Sequence, residues 1–582
     1  MTLTNRVQEF SMSEVIRSVE TVGEAILDLL QLRGVDTVIG GAPTSMIEAF
    51  AKYGLQGKPA PRAILTPHEQ TAVAMAHGYF AASGRPQAVY LYSTVGTANG
   101  VGGIINAARA RVPMVILAAR SPIAEQRGVA GARDIHVQWS QESYDQAAMV
   151  REYVKWDYEI RRPDQVADVI DRAFEVAMAE PQGPVYISIP RDVQAATLDE
   201  NRASAPSRRI TDARLMPDPA RLDEAADLLA RAENPVIVTS ELGKSAAGRA
   251  ALARLCDVSG FGVLEASPVY SNLDPEHPCH LGYIFASQVS PDLEKADVIF
   301  VIESDVPWFT ARVTVPDSAK VIQLGIDPFY QRLPMRGFPC DVPLIGHAEP
   351  ALEGLIESLE SRIPADLRDR RIAAHRSRRQ HQQAQLRDAI ARDGQLSEIT
   401  PLWANHCISR LLDDDTIVVN EYPIDLRVVQ PGAAGSYFGP SHAGGLGWGF
   451  GAALGVKAAR PDKTVICTLG DGSYYYCVPA SCHQIAAAED LPMLIVVFNN
   501  GGWNEVRKSV VSTHPQGWAS KANEVPLTRF GVRAGFEKIV EAFGGYGAVV
   551  EDPVALLPAL EAALRAVKDE GRHALVNIVV SV

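Results

Sequence analysis

Short apolar runs rich in Val, Ile and Leu alternate along the chain with longer segments of helical period. A parallel sheet with helical crossovers produces that alternation, so the chain reads as α/β. Two runs opened by proline echo each other, Val112-Pro113-Met114-Val115-Ile116-Leu117 and Leu491-Pro492-Met493-Leu494-Ile495-Val496. Proline does least harm at the start of a strand, where the ladder does not need its missing N–H. The outer parts also close on matching buried-strand patterns, Pro184–Ile189 and Ala574–Val579. Between them, strands are expected at Pro235–Thr239, Asp297–Ile302 and Lys320–Leu324. Polar breaks at Asp199–Pro219 and Ser361–Pro401 separate the parts. The pattern predicts three doubly wound parallel-sheet domains, at 15–198, 217–358 and 400–582, the outer two related in topology.

Composition narrows the class. The 582 residues are 47% apolar and 21% charged with a net charge of −14, as in a soluble globular protein that does not bind nucleic acid or anionic membranes generally. The second break carries eight arginines between Arg368 and Arg392. On an acidic protein it reads as a solvated connector helix in preference to a phosphate- or RNA-binding element. The longest stretch without Lys, Arg, Asp or Glu, Val428–Val456, contains nine glycines and two prolines, which argues against a membrane span. No signal-peptide pattern opens the chain. The seven cysteines are scattered without a CxxC pair, so reduced thiols in a cytoplasmic protein are expected, with neither a disulfide framework nor a structural zinc site.

The chemistry concentrates in the last part. Gly470-Asp471-Gly472-Ser473 follows the apolar run Thr464–Leu469, and 26 residues further on Asn499-Asn500 follows a second run, Leu494–Phe498. Both motifs are therefore expected at C-terminal strand ends, where open α/β sheets bind ligands. Asp471 and Asn500 offer hard oxygens suited to Mg²⁺, and Gly502 can add a backbone carbonyl. The glycines let backbone N–H groups approach a diphosphate.

A GDG followed at this spacing by NN resembles the thiamine diphosphate (ThDP) fingerprint. The whole length and three-part layout resemble the acetolactate synthase, benzoylformate decarboxylase and benzaldehyde lyase group. The resemblance implies a pyrimidine-binding, a middle and a diphosphate-binding domain, with ThDP and Mg²⁺ as cofactors. Leu65-Thr66-Pro67-His68-Glu69 resembles the family's His-Glu element, which makes Glu69 the carboxylate that hydrogen-bonds the aminopyrimidine ring and activates the cofactor. His442-Ala443-Gly444-Gly445-Leu446-Gly447 resembles the segment beneath the cofactor, with Leu446 as the wedge that bends it and Gly444 as the carbonyl that receives its amino group. Ser93–Gly100 resembles the loop after the second strand, and Asn99 matches its usual Asn. Gln141-Glu142 resembles a pair found near substrate in acetolactate synthases, with a place on a surface helix as the other reading. His68 and His442 could steer protons or serve structure alone.

The implied activity is cleavage or formation of a carbon–carbon bond next to a carbonyl, as a 2-oxo acid decarboxylase or an acetolactate synthase-like carboligase. A 2-hydroxyketone lyase or cyclic diketone hydrolase stays open, because Gly40–Met46 replaces the common Pro-Gly wall of the substrate pocket. The presence of both Glu69 and the metal motif speaks against a non-catalytic ThDP-binding paralogue. FAD is not expected, since Glu303–Trp308 stands where flavin-containing relatives carry an arginine. The chain ends directly after a strand pattern, so a C-terminal lid is not expected, and Gly501–Phe530 is the alternative. The resemblance further implies a homodimer as the smallest active unit, assembled as a dimer of dimers into a homotetramer.

Overall fold

The computed structural model describes residues 19–41, 43–198, 214–285 and 290–581. Most of the first polar break, residues 199–213, lies outside them, as does Ala42 of the Gly40–Met46 loop. The chain builds three six-stranded sheets, and every named strand pair is parallel.

The first sheet contains β1 (Thr37–Gly40), β2 (Arg62–Ile64), β3 (Ala88–Leu91), β4 (Val115–Arg120), β5 (Asp157–Glu159) and β6 (Val185–Pro190), in the order β2-β1-β3-β4-β6-β5. The second contains β7 (Pro235–Thr239), β8 (Gly262–Ala266), β9 (His280–Ile284), β10 (Val298–Ile302), β11 (Lys320–Gly325) and β12 (Val342–Ile345), ordered β12-β11-β10-β7-β8-β9. The third contains β13 (Thr416–Glu421), β14 (Tyr437–Phe438), β15 (Thr464–Gly470), β16 (Leu494–Asn499), β17 (Tyr546–Val550) and β18 (Ala574–Val579), ordered β14-β13-β15-β16-β18-β17. The first and third orders are the same permutation, as the paired proline runs led one to expect. In each of these two sheets the direction of winding reverses beside its first strand, and that reversal opens a crevice at the C-terminal strand ends.

By packing, the chain divides into two compact units. One holds the first sheet together with His442–Gly445 and Leu454–Ala459, and the other holds the second and third sheets. The strands are near-continuous apolar runs because helices cover both faces. In the first unit Ile26, Leu30, Met46, Tyr53, Ile170 and Phe174 close over one face of the sheet, all fully or almost fully buried.

The arginine-rich segment forms a helix, Ala365–Asp393, with no buried residue. It is more than a connector. The Arg371 guanidinium donates to the carbonyls of Ala232 (2.7 Å) and Ser259 (3.2 Å), and the His375 ring meets the Gly260 carbonyl at 3.1 Å. These carbonyls end two helices of the middle sheet, Pro219–Arg231 and Ala246–Ser259, where cations complement the helix dipole. Arg378 and Arg379 pair with Asp292 and Glu276. The basic run thus acts as intramolecular caps. Among the described residues no helix is long and apolar enough to cross a membrane.

Candidate active site

In the first unit the site gathers at two helix starts. His68 caps the helix Glu69–Ser83, its Nδ1 accepting from the Gln70 amide at 3.2 Å. Glu69 is the first residue of that helix and is half-buried. The Asn99 side-chain amide donates to Glu69 Oε2 at 3.0 Å. Asn99 does not sit on a loop: Ser93–Arg109 is a helix, entered through a Ser93 backbone at φ 56°. Its first turn can pack against Glu69 because residue 96 is glycine. A Cβ there would lie 2.5 Å from Glu69 Oε1. Gln70, just beyond, is buried and accepts from the Gly103 amide at 2.8 Å, which locks the two helices together.

Gln141 joins the same helix start. It follows a four-residue helix, Val137–Ser140, and the Ser93 hydroxyl donates to its Oε1 at 2.7 Å. Thr94 Oγ1 donates to its backbone carbonyl, also at 2.7 Å. Glu142 turns away, to Arg120 and Arg133. Gly445 is fixed by paired bonds with Asn106, which donates to its carbonyl at 2.8 Å and accepts from its amide at 3.1 Å. Neighbouring Gly444 has φ 66° and is exposed, as is His442.

In the second unit the metal motif lies where the strands put it. Gly470 ends β15, Asn499 ends the adjacent β16, and Gly470 pairs in register with Phe498. Asp471 is buried, with Oδ1 accepting from the Gly472 amide at 2.8 Å. Its Oδ2 accepts from Gly501 (2.7 Å) and Gly502 (3.1 Å). Burial pushes the Asp471 carboxyl up, and these amide N–H groups oppose the shift. Asn500 Oδ1 accepts from the same Gly502 amide at 3.1 Å. Two hard oxygens therefore converge on one turn. Residue 502 must be small, because a Cβ there would meet the Thr528 carbonyl at 2.0 Å, in the bridge that ties Gly502 to Arg529.

Sequence reasoning missed a buried carboxylate on the neighbouring strand. Glu421 ends β13 and is 1% exposed. It accepts from the amides of Gly447 (2.9 Å) and Gly449, and Ser473 bonds to it as well. Burial raises its carboxyl above the ordinary value, opposed by these donors. Ser473 is thereby a support for the Gly-rich segment. Leu446, between Gly445 and Gly447, is half-buried. A carboxylate closing an apolar strand was the signal that could have pointed to Glu421.

The Gly501–Phe530 segment, with little period in sequence, forms two short helices without buried residues, Asn504–Thr513 and Trp518–Ala522. In the middle sheet an arginine does reach the Glu303–Trp308 loop, but from outside it. Arg336 donates to the carbonyls of Asp305 (2.8 Å) and Ser304 (3.2 Å).

A hard-oxygen turn at the C-terminal ends of adjacent parallel strands defines a class: α/β proteins suited to hold a diphosphate group through a divalent cation. The family follows from comparison. Residues 20–149 match the thiamine pyrophosphate enzyme N-terminal TPP binding domain, 222–355 the central domain and 426–578 the C-terminal TPP binding domain. The chain belongs to the thiamine pyrophosphate (thiamine diphosphate) enzyme family. It is similar to a benzoylformate decarboxylase of Pseudomonas aeruginosa, 29% identical over 84% of this chain and 87% of the relative. A probable 2-ketoarginine decarboxylase of the same organism is also 29% identical, over 84% of each chain. Among solved structures, a thiamine diphosphate-dependent 4-hydroxybenzoylformate decarboxylase of Rhodococcus jostii RHA1 matches with a TM-score of 0.75, at 23% identity, over 96% of this chain and 99% of that one. That likeness concerns the fold.

Proposed function

We propose that the protein is a ThDP- and Mg²⁺-dependent 2-oxo acid decarboxylase, with carboligation as the outcome when a second carbonyl compound intercepts the product. The observation that carries this reading is the all-oxygen turn: Asp471 and Asn500 meet on the Gly501–Gly502 amides in the domain that matches TPP binding. The donor set fits the group. Two side-chain oxygens and the Gly502 carbonyl suit Mg²⁺, which keeps its remaining positions for phosphate oxygens and water. Space beside residue 470 is open, since a Cβ there would touch nothing within 4 Å. When bound, ThDP supplies the electron sink for carbon–carbon cleavage.

The chain's own residues bind, orient and move protons. Glu69 would hold a proton at its carboxylate, oriented by Asn99 and pressed into place by the Gly96 turn. His68, with Nδ1 occupied by the Gln70 amide, presents Nε2–H as a donor when neutral. Gln141, tethered through its Oε1 by Ser93, would present its side-chain amide N–H to substrate. Leu446 and Gly444 would shape the cofactor's seat.

The reading extends to assembly: a homodimer in which Glu69 of one chain serves the diphosphate turn of the other, and a tetramer built from two dimers. The test is a panel of aromatic, aliphatic and guanidino 2-oxo acids, presented to protein reconstituted with ThDP and Mg²⁺ and assayed for CO₂ release. At least one acid should be decarboxylated, and Glu69→Gln should abolish it. Cleavage of 2-hydroxyketones with no CO₂ from any acid would replace this reading by a lyase.

A further inference from the structure

Cysteines that are scattered in sequence meet in the middle domain. Cys256 lies in the last turn of the helix Ala246–Ser259, and Cys279 stands 23 residues further on, directly before β9. Both are completely buried. With His277 they form a cluster in which one ligand atom from each residue lies within 4.8 Å of the others. The His277 Nε2 faces Asp257 Oδ1 at 3.3 Å, while its Nδ1 accepts from the Cys279 amide at 3.2 Å. Cys256 and the His277 ring favour the charged form of the Cys279 thiol and hold it below its ordinary value, while burial and the same neighbour push the Cys256 thiol up.

We infer that Cys256, His277 and Cys279 form a binding site for a thiophilic divalent cation of the Zn²⁺ type, separate from the cofactor's Mg²⁺ site. With Zn–S and Zn–N bonds of roughly 2.3 and 2.0 Å, tetrahedral ligand atoms sit about 3.5 Å apart, so small side-chain rotations close the cluster onto a metal. Two sulfurs and an imidazole select Zn²⁺ against Mg²⁺, which demands hard oxygens. Because Nε2 is engaged by Asp257, Nδ1 is the ligating nitrogen: metal entry takes over the lone pair that now accepts from the Cys279 amide, and the Asp257 carboxylate fixes the tautomer as outer-shell partners of metal-bound histidines do. The His277 side chain is 13% exposed, which leaves the fourth position to water and gives the ion an entry path. Metal uptake displaces the thiol protons to solvent, so it strengthens with rising pH. The ion would staple the end of the Ala246–Ser259 helix to the start of β9, beside the Gly260 carbonyl that already receives His375. The absence of a CxxC pair hid this cluster, whose pairing is made by the fold.

Co²⁺ is the probe, followed by Zn²⁺, titrated into the reduced, metal-free full-length protein. The expected result is one equivalent bound with thiolate-to-cobalt charge-transfer bands and the intense ligand-field bands of tetrahedral cobalt, all removed by stoichiometric Zn²⁺. Co²⁺ entering the oxygen-donor turn gives no thiolate band, so the two sites are separated. Cys279→Ala should lose the bands, His277→Gln should weaken binding at least tenfold, and Cys340→Ser, elsewhere in the domain, should change nothing. Should Cys279→Ala fail to fold, the partly exposed His277→Gln decides the matter by itself. No charge-transfer band in the folded wild type, bands that survive Cys279→Ala, or unchanged affinity in His277→Gln would overturn the site. So would a Cys256–Cys279 disulfide whose reduction yields a protein that takes up no Co²⁺.

Discussion

Gly96→Ala separates activity from stability at one atom. Residue 96 lies within the helix Ser93–Arg109, where alanine is favoured over glycine by about 1 kcal/mol. Yet the added methyl would stand 2.5 Å from Glu69 Oε1, 3.2 Å from its Cδ and 3.3 Å from its Cγ. An ordinary carbon–oxygen contact needs roughly 3.2 Å or more, so the carboxylate must retreat by about 0.7 Å. Glu69 is half-buried and can rotate, which keeps the cost of relief small and leaves net stability within about 1 kcal/mol of wild type. The bond from Asn99, now 3.0 Å, is stretched past useful length. A displacement near 1 Å at a catalytic group costs on the order of 10²-fold in rate. The variant should therefore melt at or slightly above the wild-type temperature, and bind ThDP with unchanged affinity, because the diphosphate turn lies in the other unit. Exchange of the cofactor's C2 proton for deuterium, read by quenched-flow NMR, should slow about a hundredfold. This readout needs no substrate. Exchange within threefold of wild type in a folded variant would show that Glu69 is not the activating carboxylate, or that its place does not depend on Gly96.

Two further outcomes bear on the second unit. Asp471→Ala removes a hard oxygen from the turn that Gly501 and Gly502 organise, so calorimetry in Mg²⁺ buffer should show ThDP affinity falling at least tenfold, about 1.4 kcal/mol, and an unchanged affinity would sink the metal assignment. His483 is fully buried among Phe450, Phe543 and His573 with Tyr474 at 2.8 Å, and burial, aided by His573, holds its pKa down to about 3. The unfolded chain takes up that proton near 6.5 and the folded one does not. Its contribution to stability is thus complete above pH 6.5 and lost on acidification toward pH 3, at up to about 1.4 kcal/mol per unit. Urea midpoints at stepped pH should fall less steeply on acidification in His483→Phe, and an equal or steeper fall would contradict the assignment.

What could be read in advance follows from the range over which each constraint acts. Strand existence is a local matter, and the runs at Thr464–Leu469 and Leu494–Phe498 fell within one residue of β15 and β16. The placement of Asp471 and Asn500 was legible for the same reason, because both follow directly on those strands. Ser93–Gly100 read as a loop since its glycines and β-branched residues weaken helix propensity. Contacts with Gln70, Val73 and Glu69 override that weakness, and the glycines serve close approach.

Glu421 and the Cys256–His277–Cys279 cluster were illegible for the opposite reason. Each acquires its character from partners tens of residues away: Gly447 and Gly449 in one case, a helix end and a strand start in the other. A carboxylate, thiol or imidazole has no sequence mark of burial when its partners are supplied by topology. The arginine run shows the same principle with the sign reversed. Its composition read as a solvated connector, whereas Arg371, Arg378 and Arg379 spend their donors on carbonyls and carboxylates of the middle domain. Charge on a helix therefore reports a ligand site only after its intramolecular acceptors have been counted. Local spacing can place polar groups at a strand end, whereas the groups that tune or support a site emerge when the fold has closed around them.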